Sequence, residues 1–386
     1  MKYQSKPELK VITPDDGYNY FFGYYDLMPF DKACKRHLTH RVSFCDRLQQ
    51  QGDICEVGYI DLEDNTFHKI SETLAWNFQQ GAMLQWFDED SVIYNDYRKG
   101  EFVSVIKNVE SGDERIICAP LAHLSADRKW GLSINFMRVF DFRPGYGYLN
   151  EVDPYFDVKA PEDDGIFLID IENNTKKLII NYKQLTELFP EKPFCDMKLV
   201  VNHITFNPSA SRFLFLLRNF PEDQDIWGTI LVTADRDGGN IHNLTNYECN
   251  SHYHWRDDEN IMIFAGLPYW GIYFINDKTR EKVLLDDDLC NYDDIHCFYS
   301  PDRTCFIGDG YPDTGCSRHM IIYDFETKKS TQILKIFSEP VCTTDIRCDL
   351  HNRFNHDGTM VSFDSYHSGK REIVTFNFNK KDYFKK

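Results

Sequence analysis

The sequence predicts an all-β fold, a seven-bladed β-propeller whose ring is closed by an N-terminal strand in the last blade. Three observations lead there. Four segments begin alike, "NHITFNPSASRFLFLLR", "SHYHWRDDENIMIF", "IHCFYSPDRTCFIGDG" and "LHNRFNHDGTMVSFDS". In each, a histidine (His203, His252, His296, His351) is followed three positions on by an aromatic (Phe206, Trp255, Tyr299, Phe354). The histidines stand 49, 44 and 55 residues apart, within or near the period of propeller blades. Aromatic residues make up 15% of the chain, with 30 Phe and 22 Tyr, a bias toward strands. The last unit, finally, shows three strands and stops, and "PELKVIT" near the N-terminus can supply the missing outer strand and remove an exposed edge.

Taken in chain order, each unit reads as short strands, such as "RFLFLLRN" then "GTILVTAD", parted by turn signals like "NPSAS", "DRDGGN" and "NHDG". The same template fits more loosely upstream. Pro29 matches Pro208 and Pro301, so Tyr24 falls on the histidine position, and Leu121 and Met83 fall there in two further units. That makes seven units of roughly 55 residues in one domain spanning 1–386. Only "YKQLTELF" (182–189) reads as helix. Two irregular segments, 139–164 and 183–198, are long enough to be read as functional walls or lids.

The 42% hydrophobic content supports a large core, and no apolar run approaches the ~20 residues of a membrane span. The segment "MKYQSKPELKV" lacks the apolar core of a secretory signal, and the twelve cysteines are scattered without CxxC pairs. A cytoplasmic protein with reduced thiols is expected. The net charge of −18 argues against nucleic acid and anionic membranes as partners. A small anionic ligand stays possible where basic residues concentrate.

They concentrate at one predicted face. In a blade the inner strand begins where the second strand ends, so the four histidines are expected beside His40, Arg41, Arg138, Arg218, Tyr311 and His367. The segment "TTDIRCDLHNR" adds Asp345, Arg347, Asp349, His351 and Arg353, and on an extended strand 347, 349 and 351 share a face. Such a trio suits a carboxylated sugar or part of a metal site. Gln79 and Gln80 fall near the same mouth. Four histidines at one register, absent from the other three units, point to function more than to a structural repeat. His37, His68, His123, His242, His254, His319 and His356 are off register and read as surface or packing residues. No Walker loop, GxGxxG, GxSxG or HExxH is present.

From "THR" through "NHITFNPSASRFLFLLR", "SHYHW", "DIHCFYSPDRTCFIGDGYPD" and "DLHNRFNHDGTMVSFDSYHSGKREI" the chain resembles the oligogalacturonate lyases and related propeller-fold polysaccharide lyases, mainly over 200–378. The resemblance implies β-elimination on a uronic-acid oligosaccharide and a divalent metal, usually manganese. It places His296 and His351 among the metal ligands and His252 as the catalytic histidine. Asp349 stands where the family has another histidine, "DIRC" where it has a glutamine, and Thr229–Ile230 where it has its arginine. The reading that follows makes His252 the base and His203 its partner or the proton donor. Arg218 and Arg347 hold the carboxylate, and His296, Asp349 and His351 surround a cation. Tyr24, His40, Arg41, Gln80 and Arg138 are expected to bind the anionic oligosaccharide. A glycoside hydrolase using Asp309, Asp313 or Asp364, and a non-catalytic carbohydrate-binding or scaffold propeller, are the competing readings. The oligomeric state is not legible in the sequence.

Overall fold

Strands of the computed structural model form seven antiparallel four-stranded sheets. It describes residues 7–189, 196–220, 228–245, 247, 250–287, 290, 293–338 and 344–384. Six sheets take their strands in chain order, as expected of blades laid down one after another. Their inner strands are Asn19–Phe21, Gln85–Trp86, His123–Leu124, Leu199–Phe206, Asn250–Trp255 and His296–Tyr299. The seventh blade runs Arg353–Phe354, Met360–Ser365 and Glu372–Asn377, with Lys10–Val11 as its outer strand. Lys10 faces Thr375 and Val11 faces Val374. The next residue, Ile12, is buried and donates its N–H to Ile373 O at 3.0 Å. The closure read from "PELKVIT" is therefore present.

Burial grades outward through each blade. Leu199–Phe206 is buried along its whole length, whereas the outer strand Phe67–Thr73 is mostly half-buried or exposed. Inner strands see neighbouring blades on both sides and so are buried even where their side chains are polar.

The turn after the inner strand repeats a side-chain device. Four residues beyond the register position stands Asn207, Ser300, Asn355 or Ser125. Its side-chain oxygen accepts the N–H five residues further on, from Arg212 (3.1 Å), Cys305 (3.1 Å), Met360 (3.0 Å) or Trp130 (2.9 Å). Asn and Ser favour such local closures. Each turn then needs a left-handed residue, found at Ala210, Arg303, Gly358 and Arg128.

The helix expected at 182–189 spans Tyr182–Leu188, with Asn181 and Gln184 forming a capping box. A second helix, Phe136–Phe142, was not legible. Asn135 caps it by accepting from the N–H groups of Met137 and Arg138, but the aromatic run "INFMRVFDF" reads as strand. The segment 139–164 is thus partly helical rather than wholly irregular, and part of 183–198 (190–195) lies outside the described residues. No helix among the described residues is long and apolar enough to cross a membrane.

Ring closure through a short strand makes the N-terminal segment a stability determinant. Ile12→Pro removes the bond to Ile373 and a buried side chain, and is expected to cost about 3 kcal/mol or more. Urea unfolding measures this. An unchanged midpoint would show that the closing strand contributes nothing.

Candidate functional site

All four register histidines meet at one mouth of the ring. The His252 and His296 rings have centroids 3.7 Å apart, and His296 and His351 are 4.6 Å apart. Tyr24, the register residue of the first blade, stacks on His203 at 4.7 Å and stands edge-on to His351 at 5.2 Å. The backbone is unusual here. His203 and His351 have φ of 51° and 44°, and pairing registers slip around His203 and His252. Bulges and left-handed non-glycine residues re-aim side chains at functional sites at a cost in backbone strain.

The histidines divide by access. His203 and His252 each keep 8% exposure, against 0% for His296 and 2% for His351. Burial, then Arg218 beside it, holds the His203 imidazole well below the usual histidine range. Gln80 Nε2 donates to His203 Nδ1 at 3.4 Å, which leaves the ring proton on Nε2, 3.2 Å from the Tyr24 hydroxyl. Burial also lowers His252 to about 4, with Asp294 acting in the opposite direction. Asp294 Oδ1 lies 2.8 Å from His252 Nδ1, off the line of a hydrogen bond.

The closed pair faces a carboxylate. Ligand atoms of His296, Asp349 and His351 all lie within 4.8 Å of one another. His351 Nδ1 lies 2.9 Å from Gly23 O, so it carries the proton, and the Nε2 lone pair faces Asp349 without a partner. Neither ring nitrogen of His296 is hydrogen-bonded, although Asp309 lies 3.3 Å from Nδ1. Asp349 Oδ1 takes Arg318 Nη2 at 2.7 Å and Arg347 Nε at 3.0 Å. Its Oδ2 makes no hydrogen bond, although Arg347 Nε stands 2.7 Å away off the N–H axis. Burial raises Asp349, but the two guanidiniums outweigh it and keep the carboxyl far below the ordinary range. Buried lone pairs on two imidazoles and a carboxylate suit a divalent cation of borderline hardness, and the Gly23 carbonyl supplies the support that metal-binding imidazoles usually have. The donor set fits a metal.

The expectation that 347, 349 and 351 share a strand face is corrected. The chain runs from a short 3-10 turn at Thr344–Ile346 into an irregular stretch, and the inner strand begins only at Arg353. The three side chains still meet, through contacts from neighbouring blades. Arg371, of the "SGKREI" motif, grips Arg347 O at 3.0 Å and holds this stretch from the next strand. Arg353 is fully buried and binds the carbonyls of Gly23 and Tyr24.

Gln80, Arg218 and Arg347 fall in or beside the cluster. Arg218 donates to Asn202 at 3.0 Å beside His203, and Arg347 reaches the hydroxyls of Tyr146 (2.9 Å) and Tyr311 (3.4 Å). Gln79 binds Arg347 O at 2.9 Å. Three expected binding residues lie elsewhere. His40 is buried, stacks on Phe21, and accepts the Ala82 N–H at 2.9 Å with Gly81 pressed against its ring. Arg41 lies between Tyr18 and Phe67 and pairs with Glu56 and Asp16. Arg138 is wholly buried and holds Leu199 O at 2.7 Å and Asp153 at 3.4 Å, pinning the insertion to the fourth blade. Each of these basic side chains closes a local structure. The carboxylates considered for hydrolysis are also engaged: Asp313 with Lys335 and His319, Asp364 with the Phe22 N–H, Asp309 with Leu350.

Sequence reasoning missed Asp294, Tyr25, Tyr146 and Arg318. Tyr146 comes from the insertion and stands edge-on to His203 at 5.1 Å, so that segment does wall the cluster. The others lacked a register signal, because each reaches the site from a loop or a neighbouring strand.

No protein-family model matches the chain, and no curated protein does. Among solved structures it is similar to an oligogalacturonate lyase in complex with manganese, at 14% identity and TM-score 0.71, over 98% of this chain and 96% of that one. An oligogalacturonate lyase from Vibrio parahaemolyticus gives 15% identity and TM-score 0.66, over 97% and 94%. The tricorn protease gives 11% and 0.54, over 99% of this chain and 35% of that one. At these identities the likeness shows the fold, a seven-bladed propeller shared along nearly the whole chain and not only over 200–378.

The donor set makes two measurements decisive. Manganese is expected to raise the melting temperature of the unaltered protein and to leave His296→Ala unmoved; equal shifts in both would place the cation elsewhere. Asp349→Asn is expected to destabilise by about 3–5 kcal/mol, because it leaves Arg347 and Arg318 buried without their counter-charge, and chemical denaturation reads that loss.

Proposed function

We propose that the chain is a polysaccharide lyase that cleaves a uronic-acid-containing oligosaccharide by β-elimination. The observation that carries this reading is the gathering of two accessible histidines, two closed ones and two buried guanidiniums at one mouth. β-Elimination must remove a weakly acidic proton alpha to a carboxylate. That requires the carboxylate's charge to be neutralised as electron density moves onto it.

Arg218 and Arg347 supply fixed positive charge beside His203 and Asp349. Both are buried, so their fields act in a medium of low dielectric, where they are worth far more than in water. His252 takes the alpha proton. Burial keeps its ring neutral near pH 7, and Asp294 beside Nδ1 favours the proton on that atom, leaving Nε2 as the base. Tyr24 and His203 return a proton to the departing glycosidic oxygen. Burial raises the Tyr24 hydroxyl well above the usual range, so it stays protonated and can donate. The Nε2–H of His203, directed at Tyr24, can replace what is given. Tyr146 and Tyr311 line the approach to Arg347. A divalent cation held by His296, His351 and Asp349 would supply Lewis-acid polarisation of the substrate carboxylate.

The reading is tested by incubating the protein with uronic-acid oligosaccharides and following the ultraviolet absorbance of an unsaturated product. His252→Ala is expected to lower the rate by about 10²–10⁴-fold, the range of general acid–base catalysis, with the fold unchanged by circular dichroism. Full activity in that variant would remove His252 as the base. Product without a chromophore would mean hydrolysis, and no turnover of any uronate would favour a carbohydrate-binding propeller.

A further inference from the structure

The repeat that places histidines at one mouth sends its aromatics toward the other, and there the proposed chemistry uses nothing. Phe206 and Trp255 end their inner strands beside Trp86 of the second blade, and all three wall a cavity of about 850 Å³. That is within the range of small-molecule sites.

Its floor is polar. The half-buried Asp26 carboxyl lines it, and the Tyr253 hydroxyl stands beside Thr205. A carboxyl is an acceptor for hydroxyl groups, so this wall is complementary to a ligand rich in hydroxyls.

Its rim is cationic on one side. Arg128 is half-buried, its guanidinium makes no ion pair or hydrogen bond among the described residues, and burial lowers its affinity for its proton. His123 stands beside it and accepts the Phe206 N–H on Nδ1 at 3.2 Å, so its Nε2 carries a proton available to an acceptor. A charged fork next to an imidazole N–H suits a carboxylate.

We propose that this cavity is a second binding site, for a small hydroxylated carboxylate of the sugar-acid class. The carboxylate sits on Arg128 and His123, the ring lies against Trp86 and Trp255, and the hydroxyls reach the Asp26 carboxyl. The site is separate from the histidine cluster and stands without the lyase reading.

The test titrates the full-length protein with D-glucuronate, following tryptophan fluorescence and calorimetric heat, with D-glucose and benzoate as comparison probes. Glucuronate is expected to bind the unaltered protein and His252→Ala equally. Arg128→Gln is expected to weaken it about tenfold or more, the loss of one charge-assisted bond. Asp26→Ala is expected to weaken glucuronate while leaving benzoate unchanged. Glucose and benzoate are expected to bind less tightly than glucuronate, because each lacks half of the recognition. The proposal is overturned if Arg128→Gln binds as well as the unaltered protein, or if His252→Ala abolishes binding. It is equally overturned if either comparison probe matches glucuronate, or if glucuronate shows no saturation up to about 20 mM.

Discussion

An inner propeller strand is a short ruler, and its length sets what the two mouths can hold. Three residues of extended chain span about 10 Å, which separates each histidine from the aromatic three positions on. The chain uses both ends. His203 and His252 open toward one mouth, while Phe206 and Trp255 wall the other. The turn residues that follow, Asn207 and its equivalents, fix the strand's exit by bonding the next strand's N–H. The repeat therefore combines structure and function in one motif, since the same strands that close the core carry side chains to both openings.

Charge at the histidine mouth obeys a second constraint. Asp349, Arg347 and Arg318 are all buried, and any one of these charges left unpaired there would be costly. Together they carry one excess positive charge, anchored by Tyr146, Tyr311 and the carbonyl of Gly310. The His296 and His351 rings face a carboxylate that two guanidiniums already hold. Arg371 and Gln79 fix the backbone of Arg347 from two other elements, which is how an irregular stretch can hold so exact a placement.

The parts legible in the sequence are those that repeat. Blade number, the closing strand and the gathering of His203, His252, His296 and His351 all followed from a register and a period. Tyr24 was found the same way, whereas Gln80 was read only as lying near the same mouth. Basic residues were harder to place, because composition does not say whether a guanidinium faces a ligand or a neighbouring carbonyl. Arg138 looked like a mouth residue, yet it sits inside a helix that its aromatic-rich sequence concealed, and it binds Leu199 O and Asp153. His40 stood at the expected strand end but turned inward, because Gly81 lets the next blade's turn close on its ring. Asp294 and Tyr146 arrive from loops, where no periodicity announces a side chain's direction.

Asp26 joins the two halves of the molecule. It lies two residues beyond Tyr24, so its own backbone ties it to the residue that stacks on His203. Its carboxyl belongs to the far cavity, and it also lines a small chamber with Tyr24, Gln80 and His203. That chamber has room for about one water, too little for a ligand to pass. Burial raises Asp26 to about 6, with only partial relief from its own backbone N–H and from Arg353. Of the residues lining these two spaces, Asp26 is the one they share. Events at either opening are separated by sterics while sharing a single hydrogen-bonding group.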